Sequence, residues 1–213
     1  MVSSSVIESL NGIDQDLTLL INSWSTPLTD SFWVMMSDMA FWIPAYIICA
    51  YFIFERLGWK KAIIVLASAA IAFALCDQIS NIVKHLVERL RPSYSFRMLN
   101  DGLNVLEKRG GFFGFFSAHA ANAFAFAVCL IKGFQNDHSR SFKAFTVGAL
   151  TWASLVAISR VFVGKHYLGD VFVGTVIGIT VGWLVGTGAR YLIDRFESRA
   201  QEGSSPSGSP SNP

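Results

Sequence analysis

Apolar residues in this chain come in long runs rather than in alternation, and five runs approach the 20 or so helical residues needed to cross a bilayer. They cover 39–57, 61–83, 118–134, 142–162 and 167–192. Pro44 falls near the start of the first run, where an opening helical turn tolerates a missing N–H. Upstream, 14–23 places Leu17, Leu20 and Ile21 at helical spacing among polar residues. That stretch is too short and too polar to span, and it predicts a helix lying in the headgroup layer. Pro27 then breaks it ahead of Trp33, Phe41 and Trp42, aromatics suited to a membrane–water boundary. The pattern predicts an all-α, polytopic transmembrane helical bundle with an N-terminal interfacial helix. Its divisions are an interfacial segment over 1–38, a membrane-embedded domain over 39–195, and a disordered tail over 196–213 that ends in Ser, Pro and Gly.

Composition agrees with a membrane protein. Of the 213 residues 52% are hydrophobic and only 15% charged, a profile that excludes an ordinary soluble enzyme. A net charge of +2, with basic residues scattered, excludes a nucleic-acid partner. Cys49, Cys76 and Cys129 sit inside apolar runs without metal-binding spacing, so they read as small buried hydrophobes. The first basic residue is Arg56, so the charged start of a secretory signal is missing.

Residues 1–55 hold no Lys or Arg. The groups Arg56, Lys60 and Lys61, then Lys132, Arg140 and Lys143, then Arg190, Arg195 and Arg199 mark the cytoplasmic side by the positive-inside rule. The other side also carries basic residues: Lys84, Arg89, Arg91, Arg97, Lys108, Arg109, Arg160 and Lys165. That orientation holds well only if several of these are site groups. Five alternating crossings bring Lys84–Pro92, His119 and Arg160–Asp170 to one side of the membrane.

Charges beside bilayer-spanning helices are expensive, which makes these three clusters a candidate site. Lys84 and Arg91 are two helical turns apart, a rise of about 10.5 Å, and share a face if the helix runs on to Pro92. An arginine fork and a lysine point charge both suit phosphate, although Lys84, Arg89 and Arg91 could equally snorkel to lipid headgroups. Asp77 and Asn81, on the same face, either hold the lysine through a hydrogen-bonded chain or serve pairing inside the bundle. Ser117 is a natural N-cap for an alanine-rich helix whose free amides favour an anion, and His119 falls in its first turn, placed to protonate a leaving oxygen. His166 and Asp170 are four residues apart, neighbours on one helix face, where a carboxylate fixes the imidazole tautomer. Arg160 precedes them, placed for the same phosphate. The long connection 93–117 contains Phe112, Phe113, Phe115 and Phe116, which read either as interfacial anchors or as the lining of an acyl or prenyl path.

Lys84-x6-Arg91-Pro92, Ser117-Ala118-His119 and Ser159-Arg160-x5-His166-x3-Asp170, in that order, resemble the three-part signature of the type 2 phosphatidic acid phosphatases. The superfamily also takes in soluble acid phosphatases and vanadium haloperoxidases, and the resemblance covers roughly 57–192. It implies a bundle commonly of six spans, so five to six are expected. It also implies metal-independent double displacement with no cofactor. His166 would be the nucleophile, Asp170 its orienting partner, and His119 the acid and then the base. Lys84, Arg91, Arg160, the Ser117 hydroxyl and backbone amides such as that of Ala118 would bind phosphate. The second motif usually reads Pro-Ser-Gly-His, so Phe116 and Ala118 imply an altered loop. Its wording is more similar to lipid A and polyprenyl diphosphate phosphatases. The expected partner is a phosphorylated lipid in the membrane: lipid A or undecaprenyl diphosphate, then phosphatidylglycerol phosphate or phosphatidate. The expected place is a bacterial inner membrane with the site on its periplasmic face. Two other readings stay open, a phosphotransferase and a non-catalytic binder of anionic lipid.

Overall fold

The computed structural model describes residues 4–137 and 141–204, and no strand occurs among the described residues. Among the described residues seven α-helices follow one another: α1 (Ser4–Asn22), α2 (Asp30–Ser37), α3 (Ile43–Val87), α4 (Phe96–Asn100), α5 (Ala118–Phe134), α6 (Lys143–Phe162) and α7 (Leu168–Ser204). By length and composition three stretches can cross a membrane, Ala40–Val87, Lys143–Phe162 and Leu168–Arg199, and Ala118–Phe134 is a shorter apolar helix. The first is not one rod. Gly58 has φ 72° and ψ 160°, a left-handed backbone open to a residue without Cβ. Tyr46 and Phe73 would stand about 40 Å apart on a continuous helix, yet they line one cavity. The chain therefore folds back at Gly58, close to the break expected between 57 and 61. Pro44 occupies the first turn of α3.

α5 is the centre of the bundle, packed on α3, α6 and α7. Its seam with α7 is made of small residues. Gly174, Gly178, Gly182 and Gly186 recur every four positions and face Ser117, Ala121, Ala125 and Cys129. A Cβ at Gly182 would stand 2.6 Å from the Ala125 carbonyl oxygen. In lipid, where helices gain little by leaving an apolar solvent, such backbone proximity is what holds them together. On the outward faces Ile47, Ile48, Trp59, Phe172 and Leu184 are exposed, surface that water would penalise and a bilayer accepts. Cys76 and Cys129 are buried, Cys49 half-buried, and all three are free thiols.

The N-terminal helix is longer than 14–23, because α1 begins at Ser4. It exposes Ile7, Leu10, Ile13, Leu17 and Leu20 and turns its polar side to the protein. Asn22 donates to the Val161 and Phe162 carbonyls at 3.0 and 2.9 Å and accepts from the Asn104 amide at 2.7 Å. Trp33 stacks on Phe162 with centroids 3.8 Å apart, and Trp42 meets Trp152 edge-on. Those two rings thus pack against α6, leaving Phe41 exposed. At the C-terminus α7 runs on to Ser204, into the stretch expected as tail, whereas 205–213 and Arg140 lie outside the described residues. Charged groups tie one end of the bundle together: Arg56 with Asp137 at 2.8 Å, Lys61 with Glu197, and Arg190 with Gln135 at 2.9 Å.

Candidate functional site

The first basic cluster does not lie along one helix. α3 ends at Val87, and Glu88 takes a left-handed conformation with φ 51°. Lys84 and Arg91 therefore share no helical face, which corrects the expectation of two continuous turns. The cause is a pairing of extended backbone. The Arg91 amide donates to the Phe112 carbonyl and the Gly114 amide to the Arg89 carbonyl, both at 2.9 Å, with Leu90 bridging Phe113. Helical backbone cannot make these bonds, and Pro92 then opens a short 3₁₀ turn over Pro92–Tyr94. Arg91 also donates from Nε to the Phe113 carbonyl at 3.1 Å. Lys84 nevertheless stays within electrostatic reach of Arg91, Asp170 and Arg160, and Asn81 donates to Asp77 at 3.4 Å one turn behind it.

The second cluster is arranged as expected. Ser117 is the N-cap of α5, its Oγ accepting from the Ala120 amide at 3.4 Å. The first-turn amides of Ala118 and His119 have no intrahelical acceptor and mark the positive end of the helix dipole. The His119 ring lies in the field of Arg160, His166, Lys84 and Arg91. Beneath it opens a mainly apolar cavity of about 380 Å³, reached also by Tyr46, Phe73, Asn122 and Trp152. The phenylalanines before Ser117 divide: Phe112 is exposed against Tyr94, whereas Phe116 is fully buried in the core with Cys76 and Ala125. Phe116 is thus a packing residue rather than an anchor or a lining group.

The third cluster departs from one helix as well. α7 starts at Leu168, so His166 precedes it and only Asp170 is helical. Asp170 sits in the first turn and accepts from the Tyr167 amide at 3.1 Å, one of the free N–H groups of a helix start. That folds its carboxylate back until Oδ2 lies 3.5 Å from His166 Nδ1. The reversal before it uses Gly164 at φ 74°, where a Cβ would meet the Asn104 carbonyl at 2.6 Å. Burial pushes the His166 imidazole well below its ordinary pKa, and Arg160, Arg91 and Lys84 push it further. That shift favours the neutral ring, the form whose nitrogen lone pair can attack. Arg160, 4% exposed, donates to Ser37 Oγ and lies 3.5 Å from Glu107. The Ser37 hydroxyl donates to the same carboxylate, and Lys165 is 3.7 Å from it.

Direct contacts join the clusters. The Ser117 amide donates to the Asp170 carbonyl at 3.0 Å. A Cβ on Gly114 would stand 3.0 Å from Arg91 Cγ and 3.3 Å from Asp170 Oδ2. One Lys, two Arg and a helix N-terminus thus face a pair of imidazoles, one of them backed by a carboxylate. Such a set can bind a tetrahedral oxyanion, attack it, and exchange a proton on its far side. Ser37, Glu107, Arg89 and Asp14 were not singled out from the sequence. Arg89 had a weak signal as the third basic residue of 84–91, while the other three are lone polar residues in distant segments.

The sequence profile of the PAP2 superfamily matches residues 61–193. Lipid A 4'-phosphatase of Bacteroides thetaiotaomicron is 33% identical over 195 residues, covering 91% of this chain and 84% of that protein. Lipid A 4'-phosphatase of Porphyromonas gingivalis is 28% identical over 180 residues, covering 84% and 74%. Among solved structures, a transmembrane PAP2 type phosphatidylglycerolphosphate phosphatase from Bacillus subtilis superposes with a TM-score of 0.69 at 21% identity, over 88% of this chain and 89% of that one. Aquifex aeolicus LpxE does so with a TM-score of 0.58 at 24% identity, over 80% and 92%. The two structures carry the fold.

Proposed function

The chain belongs to the PAP2 superfamily as an integral-membrane phosphatase, and on that premise we propose that it removes the 4'-phosphate of lipid A through a phosphohistidine at His166. One observation carries the mechanism. A buried imidazole lies 3.5 Å from a buried carboxylate, in the field of Arg160, Arg91 and Lys84. His166 Nε2 attacks phosphorus, and the bond from phosphorus to the sugar oxygen breaks. His119 delivers a proton to that oxygen as it leaves. Lys84, Arg91, Arg160, the Ser117 hydroxyl and the amides of Ala118 and His119 take up the charge on the equatorial oxygens. Water then attacks the phosphohistidine while His119 accepts its proton. Inorganic phosphate departs, and the His166 ring is restored. Asp170 orients the ring throughout.

The substrate assignment rests on the two curated relatives, both lipid A 4'-phosphatases that align over most of this chain. The basic groups of the opposite end, among them Arg56, Lys61 and Arg190, favour a cytoplasmic placement for that end and a periplasmic site in an inner membrane. The test is phosphate release in detergent from lipid A, undecaprenyl diphosphate and phosphatidylglycerol phosphate side by side. Lipid A is expected to turn over fastest, chelator to leave the rate intact, and His166→Ala to abolish release in a folded protein. Wild-type turnover by His166→Ala contradicts the catalytic reading. Label passed to an acceptor instead of released makes the chain a transferase.

A further inference from the structure

Arg89 lies between the basic residues of the first motif, but its bonds run away from the phosphate side. Nη1 donates to Asp170 Oδ1 at 2.7 Å; Nη2 donates to Asp14 Oδ2 at 2.7 Å and to Asn11 Oδ1 at 2.8 Å. The guanidinium also covers the Tyr167 ring at 4.0 Å. Asp14 is equally committed, since its second oxygen accepts from the Gly169 amide at 2.7 Å. Beside it Thr18 accepts from the Leu168 amide at 2.9 Å. The polar side of α1 thus caps the start of α7, the turn that holds Asp170 against His166.

The carboxylate of Asp170 has no exposure. Its Oδ2 faces the Tyr167 amide and the His166 ring, and its Oδ1 faces Arg89. Removing the guanidinium leaves a buried carboxylate without a cation on that side, and both its charge and its rotamer lose their support. A methyl group there would have to displace the Asp14 carboxylate: a Cβ at Gly169 would stand 2.8 Å from Asp14 Oδ2 and 3.1 Å from its Cγ.

We propose that Arg89 and Asp14 are positioning residues, the chain Asp14–Arg89–Asp170 fixing the carboxylate that orients His166, which makes α1 part of the catalytic apparatus. This rests on the reading of His166 as nucleophile.

The experiment measures kcat, KM and thermal stability of the full chain in detergent with lipid A, together with the rate of phosphohistidine formation. The variants are Arg89→Gln, Arg89→Lys, Asp14→Asn, Gly169→Ala and Arg97→Gln. Arg97 supplies the control, because it too ties down α1, through Gln15 at 2.7 Å and Asp16 at 2.6 Å, but makes no bond to Asp170. Loss of alignment predicts a fall in kcat of about 30- to 100-fold for Arg89→Gln, with KM within about twofold and phosphohistidine formation slowed in parallel. Asp14→Asn and Gly169→Ala, which weaken or displace one charged bond, are expected to cost about fivefold. Arg89→Lys recovers part of the loss, and Arg97→Gln keeps the wild-type kcat. Wild-type kcat in Arg89→Gln overturns the inference, as does a change confined to KM, which would make Arg89 a substrate-binding group. So does an equal fall in Arg97→Gln, which would make the effect one of docking α1. If Arg89→Gln does not fold, Asp14→Asn and Gly169→Ala decide by the same criteria. An active His166→Ala in this assay defeats the catalytic reading, whereas an inactive one beside a fully active Arg89→Gln defeats only this inference.

Discussion

Substituting Gly182 by alanine adds one methyl group to the seam between α5 and α7. The new Cβ would lie 2.6 Å from the Ala125 carbonyl oxygen and 2.9 Å from its Cα, both backbone atoms of a buried helix. Ordinary contact begins near 3.4 Å, so the helices must part by about 0.8 Å. Overpacking of this kind costs about 1–3 kcal/mol. The better helix propensity of alanine returns up to about 1 kcal/mol, leaving a net loss of up to about 2 kcal/mol where the return is complete. Gly182 lies twelve residues, or about 18 Å, beyond Asp170 along α7, so the displacement reaches the site reduced but not erased. A full 1 Å error at reacting groups costs about a hundredfold, and a tenfold fall in turnover is the expected share here. The assay is tryptophan-monitored unfolding in detergent beside phosphate release. Gly188→Ala, which meets nothing within 4 Å, is the control and should be neutral or slightly stabilising. Unchanged stability and turnover in Gly182→Ala would refute the close seam and its link to the site.

Three further outcomes follow from the site's geometry. Asp170→Asn keeps the shape but removes the charge behind His166, and turnover is expected to fall by about 10²- to 10⁴-fold, read as phosphate release from a folded protein. Glu107→Gln removes the carboxylate that holds Arg160 and Lys165, and kcat/KM should drop by about tenfold, with the loss appearing in substrate titrations. The third concerns pH. Because the folded protein holds the His166 pKa well below 6.5, its neutral ring costs no stability above that value; as pH falls below it the unfolded chain gains a proton that the folded one refuses. Stability should therefore decline on acidification, the slope from this group approaching about 1.4 kcal/mol per pH unit once pH lies well below 6.5, and melting curves of His166→Gln across that range should lack that component.

Lys84, Arg91, Ser117, His119, Arg160, His166 and Asp170 were legible in the sequence because they are polar groups at the ends of apolar runs. Their local backbone was not. Spacing of seven suggested that Lys84 and Arg91 share a helix, but Glu88 ends α3 so that 89–91 can pair with 112–114. That partner is some twenty residues away, beyond any local periodicity. The spacing of four between His166 and Asp170 misled in the same way, since the pair bridges the start of α7 instead of lying along it. The break between 57 and 61 was legible because basic residues interrupt the apolar run there, whereas the turn at Gly58 itself was not singled out. The ties of Asp14 to Arg89 and of Ser37 to Arg160 were not, because lone polar residues in distant segments carry no pattern. Of the phenylalanine run, only packing against α3 and α5 separates buried Phe116 from exposed Phe112.

The covalent step offers the most direct measurement. Protein mixed with lipid A carrying a radiolabelled 4'-phosphate is quenched in alkali within the first turnover, and the labelled peptide is identified. The expected result is an acid-labile phosphate on the peptide bearing His166, absent from His166→Ala. Label on a different side chain, or brisk phosphate release by a protein lacking that imidazole, would contradict it.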